Sequence, residues 1–426
     1  MAEDSYNFLL ASWGSSGNLS PLLTAGRQLR RHGHRVRVIA DPAYRADVER
    51  SGFGFAAWQR APVGIAADPP DVSSKSDFLK RAIFQPAAAY ASDIRNEIGR
   101  RPTDAVLCID FLLGVALGAE AVDIPCALLS PHISIRPLPG VPPAASGLKP
   151  PATPEEHARF AAETEALIDT LNEHLPILNE ARRRHALAPL GHVLDAYDRV
   201  DRVLLAISEA FDFAPERLPA NVRYVGPLLD PPTWSGEWRS PWRGPADRPR
   251  ALLTFSSGAQ GQEDLARRVV AAMGKVEIDA VATAGPALDP AVLQPPENVK
   301  VLRSASHDDV MKEVSLVVTQ GGHGTVSRAL IHRLPLLVLP MGRDQDDNAA
   351  RVEVKGAGLA LPHTASEAEI AAAVNRLIRE PHFRIAAHRL GEAMAADVAA
   401  SSLVHEMEAI ADSRVRPAYA PATIAS

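Results

Sequence analysis

Cysteine is nearly absent. The two present, Cys108 and Cys126, lie in apolar stretches and are expected to be buried, reduced thiols, which suits a cytoplasmic protein. No window supplies the roughly 20 uninterrupted apolar residues of a bilayer-spanning helix. The opening residues, Met1-Ala2-Glu3-Asp4-Ser5-Tyr6-Asn7, lack the basic flank and apolar run of a signal peptide. Nor is there an excess of positive charge. Lys plus Arg number 45 against 51 Asp plus Glu, a formal net charge of -6. That balance argues against the basic stripe of a nucleic-acid binder and against a polybasic membrane anchor. No internal repeat falls at solenoid spacing.

What is present is a long chain with ample core. With 426 residues, 46% of them hydrophobic, two domains of roughly 200 residues each are expected. Phe8 to Ser12 reads as a strand and Trp13 to Leu19 as a loop. Ser20-Pro21 reads as an N-cap followed by the first helical position. Leu22, Leu23, Ala25, Gly26 and Leu29 recur at helical spacing, Gly33 closes the helix, and Arg35 to Ala40 is the next strand. Further strands are expected at residues 53–55, 105–109, 126–129 and 202–206, with helices between them, the alternation of an open α/β sheet. Residues 137–154, rich in proline and glycine, read as a long loop over the upper surface of this domain. A second alternation follows. Its strands are placed at residues 251–255, 279–283, 299–302, 316–319 and 336–339, with a helix at 263–273 and mostly helix from 367 to 411. The expected division is residues 1–225, a linker at 226–250, residues 251–391, and a C-terminal helix and tail at 392–426 that packs back on the first domain. Beyond Asp412 the composition suggests a frayed tail.

Two segments carry the chemistry. In Val317-Val318-Thr319-Gln320-Gly321-Gly322-His323-Gly324-Thr325, a strand runs through glycines straight into a helix. Such a turn aims free backbone N–H groups and the positive end of a helix dipole at one point, which suits phosphate or diphosphate. Then a buried strand, Leu336 to Leu339, ends in Pro340-Met341-Gly342-Arg343-Asp344-Gln345-Asp346-Asp347-Asn348. Adjacent Asp and Gln side chains can accept from and donate to vicinal hydroxyls, as sugar recognition requires.

Together these segments resemble the nucleotide-sugar signature of family-one, UDP-glycosyltransferase-like enzymes, which include the bacterial natural-product glycosyltransferases. The resemblance implies a GT-B fold: α/β, two facing Rossmann-like domains with parallel sheets and a cleft between them. It implies an inverting, metal-independent transfer of a hexose from a UDP- or dTDP-sugar such as UDP-glucose to a small lipophilic or phenolic acceptor. Apart from that co-substrate no cofactor is expected, and the protein would be a monomer or homodimer. By the same resemblance, Asp344 and Gln345 contact the donor sugar. Gly321, Gly322, Gly324 and Thr325 form the diphosphate turn, with Ser257 and Gly258 reaching it from the other side. Gln320 takes the place of a phosphate-binding histidine, His323 is a further phosphate candidate, and Ser304 and His307 fall at the base. Arg328 stands where plant relatives have a ribose-binding glutamate.

The N-terminal loop departs from the family. Gly17-Asn18-Leu19-Ser20-Pro21 matches a Gly-His-x-x-Pro motif whose histidine is the general base, and an amide cannot fill that role. Asp110, at the end of its strand, falls on the carboxylate that orients that histidine. Three repairs stand open: Asp110 acts directly or through water, His132 supplies the base, or the acceptor is acidic enough to need little help. Phe84 and Phe111 are candidate acceptor contacts. Two further functions remain: a UDP-sugar 2-epimerase of the same fold, and a sugar-nucleotide-binding pseudoenzyme or auxiliary partner, which Asn18 favours.

Overall fold

The computed structural model describes residues 5–14, 16–63, 75–230, 236–242, 247–255, 261–285 and 287–413. The first sheet contains β1 Asn7–Ala11, β2 Arg35–Ala40, β3 Gly54–Ala57, β4 Ala105–Ile109, β5 Cys126–Ser130, β6 Arg202–Leu205 and β7 Val222–Tyr224. The second contains β8 Arg250–Thr254, β9 Asp279–Thr283, β10 Val299–Leu302, β11 Leu316–Thr319, β12 Leu336–Val338 and β13 Gly358–Ala360. Their orders are β3-β2-β1-β4-β5-β6-β7 and β10-β9-β8-β11-β12-β13. Every pairing is parallel. Helices cover both faces of such sheets, so the central strands read as continuous apolar runs. β4 and β5 are buried at every residue. Cys108 and Cys126 are free thiols in that core, their sulfurs 4.0 Å apart.

Strand order reverses between β1 and β4 in the first sheet and between β8 and β11 in the second. Ligands of open α/β sheets settle beyond the carboxyl ends of strands at such points. The segments after β1, β4 and β5, and after β11 and β12, hold most of the candidate residues.

The structure departs from the sequence reading after β1, where it matters for the site. The helix after β1 begins at Ser16, not after Ser20, and Pro21 lies inside it. The first turn of a helix has no intrahelical acceptors for its N–H groups, so a proline just beyond that turn forfeits a single bond. Asn18 therefore sits in the first helical turn rather than in a loop. Two short strands, β7 and β13, were not anticipated; three residues are too few to display a period.

The two sheets are tied together. Arg351, 1% exposed on the helix Gln345–Val354, donates from Nε to Asp212 Oδ1 at 2.8 Å, and its guanidinium lies 4.4 Å from the Phe213 ring centre. Tyr224 donates its hydroxyl to the other Asp212 oxygen at 2.7 Å. Breaking such a buried pair by removing one partner costs about 3–5 kcal/mol. The last helix, Leu403–Asp412, returns to the first sheet, with His34 Nε2 2.9 Å from Glu408 and Arg202 Nε 2.5 Å from Glu406. The tail from 414 onward lies outside the described residues. Among the described residues no helix is long and apolar enough to cross a membrane.

Candidate active site

The second sheet supplies a backbone cradle. β11 leads through Gln320, Gly321 and Gly322 into the helix His323–Ile331. Gly321 has φ +96°, and a Cβ there would lie 2.6 Å from Val338 Cγ1, so no side chain fits. Beside Gly322 and Gly324 the space is open, and Gly322 begins the helix without a side-chain cap. The first-turn N–H groups and the helix dipole are thus accessible to an anion. Thr325 lies half-buried in that turn. The two larger side chains of the motif turn inward instead. Gln320 is 3% exposed, its Nε2 3.0 Å from Met341 Sδ. The His323 ring is buried between Asn348 Oδ1 at 3.4 Å and Ser327 Oγ at 3.3 Å. Burial pushes its pKa down, so it is neutral at physiological pH. His323 is a packed residue whose contribution to an anion site is its backbone.

After β12, Asp344 is the N-cap residue of the helix Gln345–Val354 and remains half-buried. Its Oδ2 accepts from Asn348 Nδ2 at 3.1 Å, and that same amide donates to the Gly321 carbonyl at 2.9 Å, joining the two loops. Gln345 is buried, and its Oε1 accepts from the Met341 N–H at 2.7 Å. Of the Asp-Gln pair, the aspartate therefore keeps the more open side chain.

Ser304 is half-buried, and the linker crosses close to it: Gly236 accepts from the Ser306 N–H at 2.9 Å, and a Cβ on Gly236 would lie 3.1 Å from Ser304 Oγ. His307 lies 3.0 Å from Thr283 Oγ1, and burial, helped by the charge of Arg328, lowers its pKa to about 4. Arg328 is engaged by Asp308 and by the Asp230 carbonyl at 2.6 Å. Ser257 and Gly258 lie outside the described residues.

The first sheet supplies titratable side chains. Asp110, one residue beyond β4, is 1% exposed. Ser130 donates its hydroxyl to Asp110 Oδ2 at 2.5 Å, and His132 Nε2 lies 3.1 Å from Oδ1. That distance makes an ion pair, but its angle does not make a hydrogen bond: both Oδ1 and Nε2 are buried without an aligned partner. The other ring nitrogen, Nδ1, is 3.0 Å from the Ile133 carbonyl. Burial alone would lower the His132 pKa; the Asp110 carboxylate outweighs it, Asp344 from the second sheet adds to it, and the net result is about 9. Phe111 stacks on the His132 ring with centroids 5.0 Å apart, and Trp13 meets Phe111 edge-on at 5.8 Å. Trp13 Nε1 is buried with no hydrogen-bond partner among the described residues.

These placements decide between several expectations. Asp110 is sealed, and its oxygens face Ser130 and His132. Asn18 is half-buried and makes one long bond, to the Trp13 carbonyl at 3.4 Å. Phe84 is fully buried against the His174 ring, 5.3 Å away, and belongs to the core rather than to an acceptor pocket. Ser130 and Trp13 were missed. Ser130 was readable, because residues two apart at a strand end share a face and His132 follows at that interval. Asn348 was missed as well, since residues 344–348 read as a loop; in a helix, the i, i+4 rule places Asn348 over Asp344.

Two parallel Rossmann-like sheets, each with its polar loops at the strand-order reversal, make up a GT-B fold. Residues 267–410 match the family described as erythromycin biosynthesis protein CIII-like, C-terminal domain. The 4'-demethylrebeccamycin synthase of Lentzea aerocolonigenes is 27% identical over 94% of this chain and 99% of its own length. Among solved structures, the glycotransferase of kitacinnamycin superposes with a TM-score of 0.74 at 20% identity, covering 95% of this chain and 99% of that one. The spinosyn rhamnosyltransferase complexed with thymidine diphosphate does so at 0.68 and 19%, covering 94% and 100%. Over nearly its whole length the chain is similar to glycosyltransferases of the family-one, UDP-glycosyltransferase-like kind, and it is a glycosyltransferase.

Proposed function

We propose that the protein transfers a hexose from a UDP- or dTDP-sugar to a small phenolic acceptor, with inversion and without a metal ion. The observation that carries this is the His132–Asp110 pair at the strand-order reversal. It restores, from the loop after β5, the dyad that Asn18 removes from the helix after β1. Nε2 of His132 faces Asp110 Oδ1 at 3.1 Å and Nδ1 faces the Ile133 carbonyl at 3.0 Å, so in this reading the ring turns one nitrogen toward the cleft to receive the acceptor proton. Asp110 orients the ring and balances its charge, and Ser130 holds Asp110. A base with a pKa of about 9 is matched to a phenol, whose pKa is about 10. The planar Phe111–His132 stack and the Trp13 edge offer an aromatic acceptor a wall of its own kind.

On the donor side, the first turn of the helix His323–Ile331 receives the diphosphate, as backbone donors do for anions without a cation. Asp344 takes the sugar hydroxyls, and Gln345 holds the loop that presents it. The working form is a cytoplasmic monomer or homodimer with no cofactor beyond the donor.

The test is a product assay: UDP-glucose and dTDP-glucose with a panel of phenols, with and without chelator, read by mass and by the anomeric coupling constant. The reading expects an acceptor heavier by one hexose in the β configuration, unchanged by chelator. Turnover of the donor without an added acceptor, or loss of product on chelation, would overturn it.

A further inference from the structure

Residues 131–153 leave the first sheet as a loop without regular structure, and its tip rests on the second sheet's helix Gln345–Val354. Asp347 makes the contact. Its Oδ2 accepts from the Ala145 N–H at 2.6 Å and its Oδ1 from the Gly147 N–H at 2.8 Å. Both donors come from left-handed residues, Ala145 at φ +59° and Gly147 at φ +62°, so two alternate amides converge on one carboxylate as in an anion nest. Ala145 is not glycine, so this conformation is strained and needs a partner that holds it. A Cβ on Gly147 would come within 3.0 Å of Asp346 Cβ, so the loop also packs closely there. Two turns further along the helix, Lys149 Nζ pairs with Glu353 at 3.1 Å. Asp347 is 1% exposed.

We infer that Asp347 is a positioning residue that clasps the acceptor-side loop onto the helix beginning at Asp344, so that acceptor and donor sites are completed together. This rests on the transfer reading above. Asp344 is the N-cap of the helix and Asp347 lies within its first turn. A sugar settling on Asp344 therefore orders the same helix end that holds the loop. Coupling of this kind is reciprocal: the bound donor tightens the acceptor, and the acceptor tightens the donor by the same factor.

The test uses the full chain with two variants, one from each side of the contact. Asp347→Ala removes the acceptor of both amide bonds. Gly147→Val leaves the helix and the Arg351 pair untouched and displaces the loop, so a folding failure of the first variant does not end the experiment. Three quantities are read: hydrogen exchange at the amides of residues 145 and 147, the Kd for UDP and dTDP, and the acceptor KM with saturating UDP-glucose. Both variants should lose amide protection and raise the acceptor KM by about tenfold, within the usual range of coupling factors, while nucleotide Kd stays put. Asp347→Asn, which keeps one carbonyl acceptor, should fall between them and the wild type. Retained protection at 145 and 147, or an unchanged acceptor KM in Gly147→Val, overturns the clasp. The exchange measurement needs no turnover, so it reports on the clasp even if no acceptor is ever glycosylated.

Discussion

The two sheets share a strand order and differ in what they place at its reversal. The second offers glycine backbone and a helix N-terminus, with its large polar side chains, Gln320, His323 and Gln345, turned inward. The first offers a buried carboxylate, a histidine and aromatic rings. Holding a diphosphate asks for fixed dipoles that need not change state, and backbone supplies them whatever the neighbouring side chains are. Moving a proton asks for a group that titrates, which only side chains provide. This is why the donor side tolerates Gln320 and Arg328 in unfamiliar places. On the proposed reading the acceptor side, with Asn at position 18, uses His132, which lies within reach of Asp110.

The comparison is broken most sharply at His132. His132→Gln should lower turnover by about 10²–10⁴ and leave nucleotide affinity alone, measured by steady-state kinetics and by titration with UDP or dTDP. A parallel loss of nucleotide affinity would erase the division of labour between the sheets. Because the variant leaves Asp110 buried without its cation, its melting temperature should fall as well. Asp344→Ala probes the other side. If its carboxylate accepts from sugar hydroxyls, the intact donor should lose about 1.5–3 kcal/mol of binding while the bare nucleotide loses none, by calorimetry. Equal losses for both ligands would place Asp344 at the nucleotide. The smallest effect is expected at Asn18, whose one hydrogen bond is long. Asn18→Ala should reduce turnover by no more than about tenfold, the worth of one ordinary hydrogen bond. A loss as deep as that at His132 would return the chemistry to the first turn of the helix after β1.

Much of the fold was legible because central parallel strands announce themselves: β4 and β12 are unbroken apolar runs, and β8 and β11 carry apolar residues at every position but their polar ends. The exceptions have local causes. β7 and β13 are too short to show a period, and Pro21 suggested a helix start that the chain reaches one turn earlier. The site was legible in part. Asp110, His132, Gly321 and Asp344 sit at strand ends, where topology alone brings them to the reversal point. What the sequence left open was which way each side chain turns. Gln345 is held inward by the Met341 N–H and His323 by Asn348 and Ser327, and Phe84 lies in the core against His174. The Asp347 contact was invisible for a different reason: its partner Gly147 is 200 positions away, and no periodicity links them.

The pH dependence of the pair tests the account at its centre. The folded-state pKa of His132 is raised, from 6.5 to about 9, so the pair's contribution to stability is complete below about 6.5 and is lost as pH climbs through about 9. A proton acceptor must be neutral, so activity should run the opposite way. The decisive measurement is kcat/KM for a phenolic acceptor between pH 6 and 10 in wild type and His132→Gln; any rise from the phenol's own ionisation appears in both. We predict an additional rise in the wild type that levels off near pH 9 and is absent from the variant. Profiles of the same shape in the two proteins, or a wild-type plateau already reached near pH 6.5, would contradict His132 as the base.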